Sequence, residues 1–121
     1  MKDPKISVII IVLNGENFLS EALESLANQS FDEWELIIVD DGSSDRTREI
    51  ALEFSRQFLS RTRVLEHPEA ANQGMSASRN LGIEHARGMY TTFLDHDDVY
   101  ESEKLSCMLA AAERHPHADA I

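Results

Sequence analysis

Several things are scarce in this sequence, and each scarcity excludes something. Of 121 residues only Cys107 is a cysteine. That rules out an internal disulfide and a cysteine-based zinc site. Its place in an apolar helical pattern predicts a buried structural thiol in a reducing compartment. Basic residues are few: 11 Lys and Arg stand against 22 Asp and Glu, for a formal net charge of −11. Nucleic acid and anionic membrane surfaces are thereby excluded as the main partner, because both demand basic patches. Solubility accounts for most of the acidic excess. Apolar runs are short. Ile6 to Leu13, at eight residues, cannot span a bilayer as a helix. It leads straight into a polar turn, so the charged stretch Met1–Lys5 does not open a signal peptide. The expected location is cytoplasmic, at most peripheral to the inner face of a membrane, with any membrane association carried by segments outside these residues. Repeats, low-complexity tracts and linkers are absent. The length suits one domain with a real core but is small for a complete two-substrate enzyme.

What is present alternates. Ile6 to Leu13 is almost continuously β-branched, as in a central parallel strand buried on both faces. Leu19, Ala22, Leu23 and Leu26 recur at helical spacing, with Asn17 as N-cap. A connection from Phe31 to Glu35 follows, with Trp34 as a packing residue, and then a second strand, Leu36–Val39. Ile50, Ala51, Phe54 and Phe58 mark a second helix capped by Ser44 or Asp45. Arg63–Glu66 is a short peripheral strand and His67–Gly74 a loop. Ser76 to Arg87 is a third helix ended by Gly88. Met89–Leu94 is a fourth strand. Leu105, Met108, Leu109 and Ala112 form a fourth helix stopped by His115-Pro116, and Ala118–Ile121 opens a further strand. Such alternation implies right-handed crossovers and a three-layer α/β/α, Rossmann-like fold with a mainly parallel sheet.

Three polar clusters fall at strand C-termini: Asn14-Gly15, Asp40-Asp41-Gly42 and Asp95-His96-Asp97-Asp98. In such sheets ligands bind beyond the carboxyl ends of the strands, so the clusters should converge on one edge. Three carboxylates within four residues read either as a solvated acidic turn that caps the next helix or as a site whose charge a cation neutralises. A divalent metal carrying a phosphorylated ligand is the economical choice, since hard cations prefer carboxylate oxygen. Neither G-x-G-x-x-G nor G-x-x-x-x-G-K-[ST] occurs, so the dinucleotide fingerprint and the P-loop are both excluded. Phosphate must be held in another way.

The stretches Ile6-Ser7-Val8-Ile9-Ile10, Leu13-Asn14 and Val39-Asp40-Asp41-Gly42-Ser43-Ser44-Asp45-Arg46-Thr47 resemble family 2 glycosyltransferases of the GT-A fold. Gly74-Met75-Ser76-Ala77-Ser78-Arg79-Asn80-Leu81-Gly82-Ile83, Ala86-Arg87-Gly88 and Phe93-Leu94-Asp95-His96-Asp97-Asp98 continue the likeness in the family's order and spacing, over essentially the whole chain. The resemblance implies that the chain binds a nucleotide-diphospho-sugar, UDP-linked in the typical case, and serves transfer of the sugar to a saccharide or lipid-linked acceptor. Inversion at the anomeric centre and a setting in polysaccharide or glycoconjugate synthesis follow from the same likeness.

Residue by residue, Asp41 matches the aspartate that contacts the base. A carboxylate accepting the imide N–H of uracil discriminates against cytosine, which lacks that donor. Asp40 supports it or shapes the turn. Asp97 matches the direct ligand of Mn²⁺ or Mg²⁺, and Asp95 the residue that touches the ribose or reaches the metal through water. Asp98 orders the following turn and helix start. Arg79 matches a basic residue near the nucleotide. Leu13 stands where the family often stacks an aromatic ring, next to Asn14, and His96 where a small residue is usual. The general base of inverting members lies beyond the acidic cluster, so it is expected beyond Ile121. The 121 residues then correspond to the donor-binding part of a GT-A domain without its acceptor-binding half, and by themselves transfer no sugar. The alternative from another class is a non-catalytic nucleotide-binding, regulatory or assembly module that keeps the fold. A nucleotidyltransferase is disfavoured, because those enzymes share a Gly-rich loop after the first strand.

Overall fold

The computed structural model describes residues 3–68 and 71–118. Four strands and four helices alternate: β1 Ile6–Val12, α1 Leu19–Ala27, β2 Trp34–Asp40, α2 Thr47–Gln57, β3 Thr62–Glu66, α3 Met75–His85, β4 Tyr90–Phe93 and α4 Lys104–Arg114. The strands form one sheet in the order β3-β2-β1-β4, with every pair parallel. The strand expected at Ala118–Ile121 lies outside the described residues save Ala118.

Burial explains the order. Ile6, Val8, Ile9, Ile10 and Val12 of β1 are at most 1% exposed, and Leu36, Ile37, Ile38 and Val39 of β2 are fully buried. Each such side chain contributes roughly 1.5–3 kcal/mol relative to an exposed one, which puts the two most apolar strands at the centre. Alternate residues serve opposite faces. Val8, Ile10, Leu36 and Ile38 meet Leu19, Leu23 and Leu26 of α1, Phe54 of α2 and Leu105 of α4. Ile9, Ile37 and Val39 instead meet Leu81 of α3. The sheet therefore carries three helices on one face and one on the other. Right-handed crossovers require this: the chain steps from β1 to β2 to β3 in one direction, then returns across the sheet to β4. Gly82 lets α3 sit close, since a Cβ there would fall 2.8 Å from Ile9 Cγ2.

Several local expectations are corrected. Trp34 and Glu35 belong to β2 rather than to the preceding connection, and Trp34, 2% exposed, packs as expected. Glu35 is buried because it has partners. It accepts the Ser7 hydroxyl at 2.5 Å, the Arg87 backbone N–H at 2.6 Å and Arg87 Nε–H at 3.3 Å. Asn17 does not cap α1; the Gly15 carbonyl accepts the Phe18 and Leu19 N–H groups instead. Neither residue expected to cap α2 is its N-cap: Arg46 holds that position with no side-chain cap bond, and Asp45 stands one residue before it, its Oδ1 accepting both the N–H and the hydroxyl of Thr47. Helix α3 stops at His85 because Ala86 is extended. Gly88 is needed for space rather than for capping: a Cβ on it would meet the Ser7 backbone nitrogen at 2.7 Å. Cys107 is exposed. It lies about 200° around α4 from the buried Leu105, on the outer face, so the apolar stripe passes it by. No helix among the described residues is long and apolar enough to cross a membrane.

Candidate functional site

The reversal of direction at β1 leaves a crevice at the C-terminal sheet edge between β1 and β4, the position where open α/β sheets hold ligands. A cleft of about 270 Å³ opens there, lined by Ile9 and Ile11 of β1, Met75 and Arg79 of α3, Phe93 of β4 and the acidic turn after it. A larger hollow, about 430 Å³, lies between β4 and α4 beside Ile6, Met89, Tyr90, Met108 and Leu109. It sits toward the N-terminal ends of the strands, and no carboxylate lines it. The chemistry is in the smaller cleft.

The acidic turn is held by the sheet itself. Leu94, 2% exposed, extends the ladder by donating its N–H to the Ile9 carbonyl at 2.9 Å, and the Asp98 N–H closes the turn on the Asp95 carbonyl at 3.0 Å. Asp95, Asp97 and Asp98 are exposed, and one oxygen from each lies within 4.8 Å of the others. At that range each like-charge pair costs about 1 kcal/mol even in water. None of the ion pairs among the described residues involves them. An all-oxygen donor set of this kind fits a hard divalent cation. Since α4 begins at Lys104, Asp98 orders the turn but not the helix start, and its carboxylate joins the other two. His96 also lines the cleft, and its ring packs against Gly15, where a Cβ would come within 2.7 Å of it. Burial pushes the Tyr100 phenol above its ordinary value, and the Asp95 and Asp98 carboxylates push it further, against a hydrogen bond with Thr92. Its hydroxyl donates to the Phe93 carbonyl at 3.4 Å, so a neutral donor sits under the cluster.

On the other side of β1, two loops are joined. Asn14, at φ +52°, donates its N–H to Ser43 Oγ at 2.9 Å and accepts the Ser44 N–H on Oδ1 at 2.8 Å. The Gly15 N–H reaches Thr47 Oγ1 at 2.9 Å and the Glu16 N–H reaches Asp45 Oδ2 at 3.2 Å. Desolvation pushes the Asp45 carboxyl up, but the Thr47 hydroxyl and the N–H groups of Thr47 and Glu16 outweigh it and hold the group below its ordinary value. Asp40 shapes the turn, accepting the Ser43 N–H at 3.0 Å. Leu13 stands at the rim, 40% exposed.

Asp41 is different from the acidic turn: it is 4% exposed. Its Oδ1 accepts the Gln73 N–H at 2.8 Å, and the Gly74 N–H lies 3.3 Å from Oδ1 and 3.2 Å from Oδ2. The β3–α3 loop is thus drawn onto the end of β2. Gly74 makes this possible at φ +92°, a conformation that side chains resist. Arg79 projects into the cleft with its guanidinium 5.5 Å from the Phe93 ring centroid. Two neighbours went unflagged in the sequence, His67 and Tyr100. For His67 a signal existed: it directly follows β3, so it reaches the same sheet edge as the other polar clusters.

A parallel α/β sheet with aspartates at the ends of β2 and β4, on either side of the switch strand, is an arrangement of the GT-A type. Residues 7–121 match glycosyl transferase family 2, and the chain belongs to that family. The putative glycosyltransferase EpsH of Bacillus subtilis (strain 168) is 43% identical over 112 residues, which is 93% of this chain and 31% of that protein. The crystal structure of S. aureus TarS 1-349 in complex with UDP-GlcNAc superposes with a TM-score of 0.82 at 35% identity, covering 93% of this chain and 32% of that one. The mannosyltransferase PcManGT from Pyrobaculum calidifontis, in complex with GDP-Man and Mn²⁺, shares the fold with a TM-score of 0.78 at 20% identity, over 98% of this chain and 34% of its own. The chain spans 31% and 42% of the length of the first two curated relatives it matches.

Proposed function

We propose that these residues form the donor-binding part of a glycosyltransferase domain, holding a nucleotide-diphospho-sugar, with UDP as the nucleotide. The observation that carries this reading is the placement of a buried, hydrogen-bonding aspartate after β2 and an exposed, unpaired acidic turn after β4 on one sheet edge. TarS, 35% identical over 93% of this chain and crystallised with UDP and with UDP-GlcNAc, supports the choice of donor.

In this reading Asp41 accepts the imide N–H of uracil, and Asp40 and Asn14 hold the loop that presents it. Leu13 covers an apolar face of the base. Arg79 faces the negative charge of the nucleotide. Asp97 holds Mn²⁺ or Mg²⁺, with Asp95 toward the ribose side and Asp98 completing the carboxylate set. Such a cation, when bound, neutralises the diphosphate and stabilises the charge that develops on it as the sugar departs. Transfer to a saccharide or lipid-linked acceptor, with inversion, needs a general base within hydrogen-bond reach of the acceptor hydroxyl, which these residues do not supply. The cytoplasmic face is where such a donor is met.

Calorimetric titration of UDP with and without Mn²⁺ tests the proposal. UDP affinity is expected to rise with Mn²⁺ in the wild-type chain and to lose that dependence in Asp97→Ala. Unchanged metal dependence in Asp97→Ala would show that the cation is held elsewhere.

A further inference from the structure

Asp41 does not stand alone. His67 Nε2 lies 3.6 Å from Asp41 Oδ1 and 2.9 Å from Ser78 Oγ. All three groups are buried, at 4%, 8% and 0% exposure for Asp41, His67 and Ser78. The connections close a ring. The β3–α3 loop starts at His67, passes the Gln73 and Gly74 N–H groups that bind Asp41, and enters α3, where Ser78 turns back to His67.

The arrangement is not a nucleophilic triad, because Asp41 and Ser78 both address the same ring nitrogen. A base-activated serine needs its carboxylate and its hydroxyl on opposite nitrogens. What the shared nitrogen does is fix a tautomer. A lone pair on Nε2 would face the carboxylate oxygen and be repelled; a proton there is attracted to it and is donated to Ser78 Oγ.

The consequence falls on the two oxygens of Asp41. Oδ1 is occupied by the Gln73 N–H at 2.8 Å, the Gly74 N–H at 3.3 Å and the His67 Nε2 edge at 3.6 Å. Among the described residues Oδ2 accepts only the Gly74 N–H, at 3.2 Å. Each carboxylate oxygen has two lone pairs, so Oδ2 keeps the spare acceptor capacity and Oδ1 is the anchor. We propose that His67, locked by Ser78, is a positioning residue that pins Asp41 through Oδ1 and leaves Oδ2 to read the N–H of the nucleotide base. The inference rests on the base-reading role of Asp41 given above.

The test compares affinities for UDP and for CDP, whose base lacks the imide donor, in Mn²⁺ with the 121-residue chain. His67→Leu removes the ring nitrogen, His67→Gln keeps an N–H donor near the Nε2 position, and Ser78→Ala frees the ring while adding no bulk to the core. His67→Leu is expected to weaken UDP several-fold, since it removes an electrostatic contact at 3.6 Å rather than a hydrogen bond, with CDP nearly unchanged, so that the preference falls. Ser78→Ala should move the preference the same way by a smaller factor, and His67→Gln should restore most of it. A purely structural role would weaken both nucleotides together and would not be rescued by Gln. If His67→Leu does not fold, Ser78→Ala and His67→Gln decide the matter. A preference kept within twofold in both Ser78→Ala and His67→Leu, or in Ser78→Ala alone where His67→Leu is unfolded, overturns the role of His67 while Asp41→Ala still abolishes it. If Asp41→Ala leaves the preference intact, or the wild type binds neither nucleotide, the base-reading role fails first and the inference with it.

Discussion

Glu35 offers a test of the fold that the candidate site should survive. The perturbation is Glu35→Ala. The side chain is 1% exposed, beside its register partner Ser7 near the N-terminal end of the sheet. Its removal orphans the Ser7 hydroxyl and the Arg87 N–H, bound at 2.5 and 2.6 Å. Each hydrogen bond to a buried charge is worth about 1.5–3 kcal/mol. The third partner, Arg87 Nε, adds little, because that side chain is 45% exposed and can turn to water. The expected loss is therefore about 3–6 kcal/mol. Against a total stability of about 5–15 kcal/mol, this is a large share. Urea unfolding followed by far-UV circular dichroism should show a lower midpoint at an unchanged slope. Glu49→Ala, which removes only the exposed Arg46 pair, should leave the midpoint where it was. UDP affinity of the folded fraction should not change, because Glu35 lies at the opposite end of the strands from Asp41. A loss below about 1 kcal/mol would mean that the buried carboxylate is not held by these donors, and the account of why Glu35 is buried would fall with it.

Two further outcomes follow from the geometry. Gly82→Ala gains up to about 1 kcal/mol of helix propensity but puts a Cβ 2.8 Å from the fully buried Ile9. Overpacking of about 1–3 kcal/mol should prevail, and a raised melting temperature would show that α3 can slide. For Asp45 the sign follows from a folded-state carboxyl held below its ordinary value by the Thr47 and Glu16 donors. Its contribution is complete above the unfolded value and is lost as pH falls through the folded one. The urea midpoints of wild type and Asp45→Asn should differ at neutral pH and converge on the acid side of about pH 4; a gap that widens in acid would contradict the hydrogen bonds assigned to it.

Much of this molecule could be read from residues near one another in the chain. The unbroken β-branched run of β1, the helical spacing of Leu19, Leu23 and Leu26, and the polar residues ending each strand are local signals, and they yielded the parallel sheet and the edge that carries the candidate site. The misreadings have two causes, partners on distant elements and details of the local backbone and helical phase. Glu35 looked like a connection residue because its partners lie 28 and 52 positions away. Asn17 looked like a cap because the competing Gly15 carbonyl is a backbone group, invisible in composition. Cys107 followed an apolar pattern whose phase placed it outside. His67 looked like loop because Asp41 and Ser78 approach it from other elements. Pairings across elements depend on how the sheet closes, and no window of sequence contains that.

Five aspartates stand at the same sheet edge, and sequence chemistry makes them equivalent. Burial separates them. Asp40 and Asp41 are 3% and 4% exposed, and each accepts backbone N–H groups fixed by the fold. A carboxylate in that setting has an oriented lone pair to offer and little freedom to follow a mobile ion, which suits it to recognise a neutral N–H at one position. Asp95, Asp97 and Asp98 are exposed, with oxygens within 4.8 Å of one another and no internal ion pair among the described residues. Their mutual repulsion is relieved only by charge brought from outside, and carboxylates free to rotate can meet the coordination geometry of a hard cation. The same side chain is thus suited to two kinds of work on one edge because β2 ends under the β3–α3 loop while β4 ends in water.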